Sequence, residues 1–133
     1  MADELGWPVE EIPDADSVFM RAHREHFRDG ELRPGVFKPH GQGMSVNWNR
    51  YATAELTKQQ VQLVNKDPDN YAVINMLVLG IRKIDNLRVE HTPEPTNQAH
   101  SDVFGLPENR EQRTEVRFLL RRIAEIVIPL STR

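Results

Sequence analysis

The sequence contains no cysteine. This absence excludes disulfide bonds, thiolate nucleophiles and zinc sites built on thiolates, so any metal would need histidine and carboxylate ligands. The longest apolar run, around residues 71–79, is far shorter than the roughly 20 residues that a membrane-spanning helix needs. The N-terminus is acidic and shows no basic, apolar secretion signal. We therefore expect a cytoplasmic protein that does not enter a membrane.

Several motifs that identify enzyme classes are also missing. Neither Ser45 nor Ser101 lies in the Gly-x-Ser-x-Gly pattern that exposes a nucleophilic serine. Gly41 and Gly43 flank a single residue, without the lysine of a phosphate loop or the third glycine of a dinucleotide-binding motif. The sequence therefore predicts a simple turn here and gives no indication of a nucleophilic hydrolase.

Length and charge indicate one domain with an acidic start. The chain has 133 residues, of which 38% are hydrophobic and 28% charged, which is typical of a single globular domain with a real core. The net charge of −3 does not support steering toward nucleic acid, although it does not exclude nucleic-acid binding. We expect residues 1–16 to form a weakly ordered acidic arm and residues 17–133 to form the domain. The arm carries no lysine or arginine but six acids, Asp3, Glu4, Glu10, Glu11, Asp14 and Asp16.

Short apolar segments between turn residues predict strands. A turn at Asp29-Gly30 separates the first two, and the nearly continuous apolar segment 71–79 is typical of a central strand buried on both faces. The predicted strands are residues 17–22, 36–38, 44–48, 71–79, 87–91 and 100–104.

Two helices and one helical turn complete the prediction. Residues 53–65 have apolar residues near helical spacing with Thr53 as a cap, and residues 81–86 can form one turn. A long amphipathic helix is predicted from Pro107 or Glu108 to residue 126, with Pro129 as its stop. The order of elements predicts an α+β fold, with a small mixed sheet, helices packed on one side and this long C-terminal helix.

The strongest candidate for a site is the proline-containing segment 91–100. If it connects two neighbouring strands, His91 and His100 lie at the strand ends and can share acid and base roles, with Asn97 placed to orient a substrate. A structural role is an open alternative, because asparagine often caps its own turn and histidine often bonds to backbone. A metal site would need His40 or Glu94 as third ligand, and a nine-residue histidine spacing matches no standard metal motif. We therefore predict no metal and no other cofactor.

Basic residues near the N-terminus supply a second part of the candidate site. On a strand over residues 17–22, Arg21 and His23 would project on the same side as Phe19. A guanidinium suits phosphate or carboxylate because it can donate two parallel hydrogen bonds. The alternative is that these residues pair with the acidic arm.

Four arginines form a stripe on the predicted C-terminal helix. Side chains of like charge four positions apart repel, so an anionic partner along the stripe would stabilise it. That partner can be the acidic arm, another copy of the chain, a different protein or a nucleic-acid backbone. The alternative is that water alone solvates the stripe, which is the commonest arrangement for such faces. The Arg stripe consists of Arg110, Arg113, Arg117 and Arg121.

Three parts of the sequence carry a resemblance to other proteins. They are Phe19-Met-Arg21-Ala-His23, then Val36-Phe-Lys38 with Met44-Ser-Val-Asn-Trp48, then Val89-Glu-His91 with Asn97-Gln-Ala-His100. In this order they resemble a group of small uncharacterised bacterial single-domain proteins over about residues 17–104. The resemblance brings no activity with it and implies that the three parts belong to one domain. An arginine on an early strand, followed by phenylalanine and a later serine, is also similar to ADP-ribosyltransferase-like folds, without their downstream catalytic glutamate motif.

Two functional hypotheses follow. In the first, a pocket gathers Arg21, His23, His91, Asn97 and His100 around an anionic or nucleotide-like small molecule, with acid–base chemistry as an option. In the second, the protein is a non-enzymatic regulator or immunity-type partner that acts through its acidic arm and Arg stripe. The sequence does not decide whether the protein is an enzyme.

Overall fold

The computed structural model describes residues 6–39, 41 and 43–131. Three α-helices are present in this part of the chain, α1 (Ala54–Gln59), α2 (Val78–Arg82) and α3 (Arg110–Ile123). The strands are β1 (Ser17–His23), β2 (Phe27–Arg28), β3 (Glu31–Leu32), β4 (Gly43–Trp48), β5 (Tyr71–Leu77), β6 (Arg88–His91), β7 (His100–Phe104) and β8 (Glu125–Ile128).

Six of the strands form one sheet in the order β6-β7-β4-β1-β5-β8, and β2 and β3 form a separate hairpin. Every neighbouring pair in the large sheet is antiparallel. The α+β class is therefore confirmed, whereas the predicted mixed sheet is wrong. Of the neighbouring pairs in this sheet only β6 and β7 form a hairpin, and the other neighbours are joined by longer stretches of chain that return in the opposite direction. The centre of the sheet is β4 and β1, so β5 is one strand away from the edge.

The sheet has two faces with different roles. Side chains alternate along a strand, so Val18 and Met20 point to one face while Phe19 and Arg21 point to the other. The first face, here called the core face, packs against α2 and α3, whose residues Ile81 and Leu120 are fully buried in the same apolar cluster as Val18.

The opposite face, here called the cavity face, is partly covered by α1. Thr57 of α1 is buried there and receives hydrogen bonds from Arg21 of β1 and Asn47 of β4. Helices therefore lie on both faces of the sheet, not on one side as the sequence predicts.

The helix predicted over residues 53–65 is present in two forms. Thr53 caps it, as predicted, because its side chain accepts a hydrogen bond from the Leu56 amide. The α-helix ends at Gln59 and continues as a tighter 3₁₀ segment, Gln60–Val64. Asn65 ends this segment in the left-handed conformation, with φ of 62°.

Two other predicted elements differ from the structure. Residues 36–38 are not a strand, because Pro34–Val36 forms a 3₁₀ turn that Pro34 starts. The predicted long C-terminal helix is also wrong, because α3 has 14 residues and ends at Ile123. Ala124 turns the chain into β8, which pairs with β5. The turn at Asp29-Gly30 is confirmed, since both residues have positive φ between β2 and β3.

Candidate functional site

The candidate site lies where the centre of the sheet opens. β1 and β4 pair only at Val18↔Trp48 and Phe19↔Asn47, although β1 continues to His23 and β4 begins at Gly43. Beyond this short contact a cavity of about 500 Å³ is lined by residues of both strands. A volume of this size is within the range that small-molecule ligands occupy.

Four of the five predicted site residues line this cavity, namely Arg21, His23, Asn97 and His100. The other charged groups around it are unequal in sign. Arg21, Lys38 and Lys66 supply three cations, while Glu25 and Glu94 supply two carboxylates. The histidines of the lining can add further positive charge when protonated.

Arg21 projects from β1 into the cavity. Its Nη1 donates a hydrogen bond to the Thr57 carbonyl oxygen at 3.1 Å. The Arg21 side chain is open toward the cavity. The surrounding protein nevertheless removes enough water to lower the pKa of the guanidinium, and Tyr71 opposes this shift. Among the described residues no carboxylate forms an ion pair with it. A cation in such a position favours an anion as its partner.

His100 stands on the opposite side of the opening, at the start of β7. Its Nδ1 lies 2.8 Å from the Thr92 carbonyl oxygen, which only accepts hydrogen bonds, so Nδ1 carries a proton. Its Nε2 lies 3.3 Å from Ser45 Oγ and 3.8 Å from Glu94 Oε2. The Thr92 hydroxyl donates to Asp102 at 2.7 Å. The ring is therefore held with Nε2 toward the cavity.

Asn97 joins the loop between β6 and β7 to the floor of the cavity. Its Nδ2 donates to Asn47 Oδ1 at 2.8 Å, while its own Oδ1 accepts from the Ala99 amide at 3.2 Å. Asn47 is buried and donates in turn to Thr57 and Gln60. This chain of amides fixes the loop, so Asn97 is a structural bridge as well as a lining residue.

His23 lines the cavity at the end of β1. Its Nδ1 accepts a hydrogen bond from the Glu25 amide at 3.0 Å, and its ring stands edge-on to Tyr71. The neighbouring His26 has a lowered pKa, because it loses water contacts. Glu25 opposes that shift and Lys38 adds to it.

His91 is not part of the cavity. In the β6–β7 pairing it lies opposite Ser101, the residue after His100, so His91 points to the core face while His100 points to the cavity face. The residue is 2% exposed. Nδ1 accepts from the Glu10 amide at 3.0 Å and Nε2 donates to the Gln98 carbonyl at 2.7 Å. The two histidines are therefore not a pair.

The described part of the acidic arm is bonded to α2 and to the end of β4. Ile12 is buried, whereas Trp7 is exposed. Arg82 of α2 donates to the Ile12 carbonyl and to Asp14, and Trp48 donates to Asp16. None of the described arm residues lines the cavity, and the hydrogen bonds and ion pairs that they form do not involve the Arg stripe. Asp3 and Glu4 lie outside the described residues.

The Arg stripe is partly satisfied within the chain. Arg117 donates to the Phe37 carbonyl at 2.7 Å and Arg121 donates to the Leu32 carbonyl at 2.8 Å. Reduced contact with water lowers the pKa of Arg117, and the nearby Arg113 lowers it further. The oxygen atoms that face these two arginines therefore belong to segment 32–37, which begins in β3, and not to the acidic arm.

Sequence reasoning missed Ser45 and Asn47 as site residues. Strand alternation over residues 44–48 places both on one face of β4, and this was the available signal. What the sequence does not show is that this face borders an opening.

No metal site is formed by the described residues, since no three histidine, aspartate or glutamate side chains are grouped suitably. His40, considered above as a third ligand, lies outside the part of the chain that the structure describes. Within that part, no helix has both the length and the apolar character needed to cross a bilayer. The chain matches no protein-family model, no curated protein and no solved structure.

Proposed function

We propose that this protein binds a small anionic, nucleotide-like molecule in the opening between β1 and β4, and that it does so in the cytoplasm, in line with its lack of cysteine. The observation that carries the proposal is Arg21, a cation between protein walls that has no carboxylate partner among the described residues. An anion that bonds to the remaining guanidinium donors completes this site.

The surroundings of Arg21 support a ligand that is more than a bare ion. The cavity of about 500 Å³ also contains Phe19 and Tyr71, whose rings offer planar surfaces, and the amides of Asn47 and Asn97. Lys38 and Lys66 add positive charge along its rim. A phosphate joined to a planar group uses both the cationic and the aromatic parts of such a lining.

Isothermal titration calorimetry with ADP and with pyrophosphate tests the proposal. We expect Arg21→Gln to weaken ADP binding about tenfold or more, because it removes a charge-assisted pair of hydrogen bonds. Arg21→Lys should retain part of the affinity, since it keeps the charge without the guanidinium fork.

Arg88→Gln is the matched control. Arg88 is exposed on β6 and pairs with Glu90, outside the cavity. Its substitution should leave ADP affinity unchanged. The proposal is wrong if neither probe binds the wild type, or if Arg88→Gln weakens binding as much as Arg21→Gln does.

A further inference from the structure

We propose that Ser45 is a nucleophile with His100 as its general base, and that the cavity hydrolyses carboxylic esters whose anionic group is held by Arg21. This inference rests on the proposed function, because Arg21 supplies the anion site. It also departs from the sequence analysis, in which Ser45 lacks the motif of a nucleophilic serine.

The first argument is the chain of contacts that ends at Ser45. Ser45 Oγ lies 3.3 Å from His100 Nε2, the ring nitrogen left without a proton when Nδ1 donates to the Thr92 carbonyl. Thr92 is itself fixed by its hydrogen bond to Asp102. A nucleophile, a base and a group that orients the base are the parts that serine catalysis requires, and the first distance is often longer before substrate binds.

The second argument is electrostatic. Glu94 Oε2 lies 3.8 Å from His100 Nε2. When His100 accepts the serine proton, its ring becomes a cation, and the Glu94 carboxylate stabilises that cation.

The third argument is access. Ser45 is exposed and lines the cavity, whereas Ser101 is fully buried and donates to the Ala99 carbonyl. Hydrogen-bond directions alternate along β4, where the Trp48 amide points to the β7 side and the Asn49 amide to β1. The Ser45 amide therefore also points toward β1, at a place where β1 and β4 are no longer paired. It is placed to donate to an oxyanion formed at Ser45.

The absence of a side chain at Gly43 allows Asp102 and Phe104 of β7 to lie close to β4. A Cβ at this position would lie 2.8 Å from Asp102 Oδ1 and 2.9 Å from the Phe104 ring. Only glycine leaves room for Asp102 there, and Asp102 is the residue that fixes Thr92 beside His100.

The reaction proceeds in two halves. Ser45 Oγ bonds to the ester carbonyl carbon while its proton passes to His100 Nε2, and the alcohol leaves with that proton as its C–O bond breaks. A water then gives a proton to Nε2, and its oxygen attacks the acyl group on Ser45. The carboxylic acid is released and the proton returns to Oγ.

A neutral fluorophosphonate tests the nucleophile directly. Oγ attacks phosphorus, fluoride leaves and His100 takes the proton, so the modified serine is identified by peptide mass spectrometry. The chain has four serines, Ser17, Ser45, Ser101 and Ser131. We expect modification at Ser45 alone, none in Ser45→Ala, and a rate that falls about 100-fold or more in His100→Gln.

Ser17→Ala is the control and should be modified at the wild-type rate. Melting temperatures show that each variant is folded. The inference is overturned if folded wild type is not modified at Ser45, or if His100→Gln reacts at the wild-type rate. If the wild type binds ADP through Arg21 but is not labelled, the inference is overturned and the proposed function stands. If Ser45 is labelled but ADP does not bind through Arg21, the proposed function and the Arg21 anion site are overturned, and only the assignment of Ser45 as a nucleophile stands.

Discussion

At the residue scale, the different surroundings of His91 and His100 determine what each can do. His91 packs edge-on against Trp48 with ring centroids 5.0 Å apart, and both of its nitrogens bond to backbone groups. His100 keeps one nitrogen toward Ser45 in the cavity. The first histidine connects the arm, at Glu10, to the β6–β7 hairpin, and the second is available for chemistry.

We predict that His91→Ala lowers the free energy of unfolding by about 2–4 kcal/mol, because it leaves a cavity beside Trp48 and removes the partners of two backbone groups. His100→Ala should cost less than half as much, since its ring is bordered by the open cavity. Urea unfolding of the two variants measures both values. Equal losses would contradict the assignment of His91 to a structural role.

The residue scale also shows what the sequence can predict of the site. Alternation along β1 correctly places Arg21 and His23 on one face, and the strand–loop–strand pattern correctly places His100 at a strand start. The orientation of His91 depends on the register with Ser101. The tight turn between Glu94 and Asn97 sets this register. The prolines of segment 91–100 predict a loop but not the position of this turn.

At the scale of elements, α3 shows how tertiary contacts override a local pattern. Val127 extends the helical period of the apolar residues, so the sequence predicts a helix to residue 126. Ile126 and Ile128 instead pair with β5 as part of β8, where β-branched side chains fit well. The helix ends at Ile123 because the residues that follow pair with β5. The helical period of the apolar residues does not predict this pairing.

The Arg stripe on α3 gives a prediction at the same scale. Arg121→Met should lower the free energy of unfolding by about 1–3 kcal/mol, because the Leu32 carbonyl loses a charge-assisted hydrogen bond. Arg110→Met, at the exposed start of α3, should change it by less than about 0.5 kcal/mol. Chemical denaturation of both variants decides. If the two substitutions lower the free energy of unfolding equally, the hydrogen bond from Arg121 to Leu32 does not hold α3 to β3.

At the scale of the whole molecule, the opening between β1 and β4 connects the fold to the proposed site. Pairing at Phe19↔Asn47 keeps the sheet continuous, and the loss of pairing beyond it exposes Arg21 on one side and Ser45 on the other. A sequence pattern identifies strands but not the point at which two neighbours separate. For this reason the sequence predicts Arg21, His23, Asn97 and His100 as neighbours but does not predict the cavity that they line.

Backbone and arginine side-chain NMR spectra recorded during titration with ADP test the central claim most directly. We predict saturable shifts in the Arg21 Nε–H signal and in the amides of His23 and Ser45, with the amides of Arg88 and Arg110 unchanged. Shifts confined to α3 or to the N-terminal arm would contradict the account, as would a spectrum that ADP does not change.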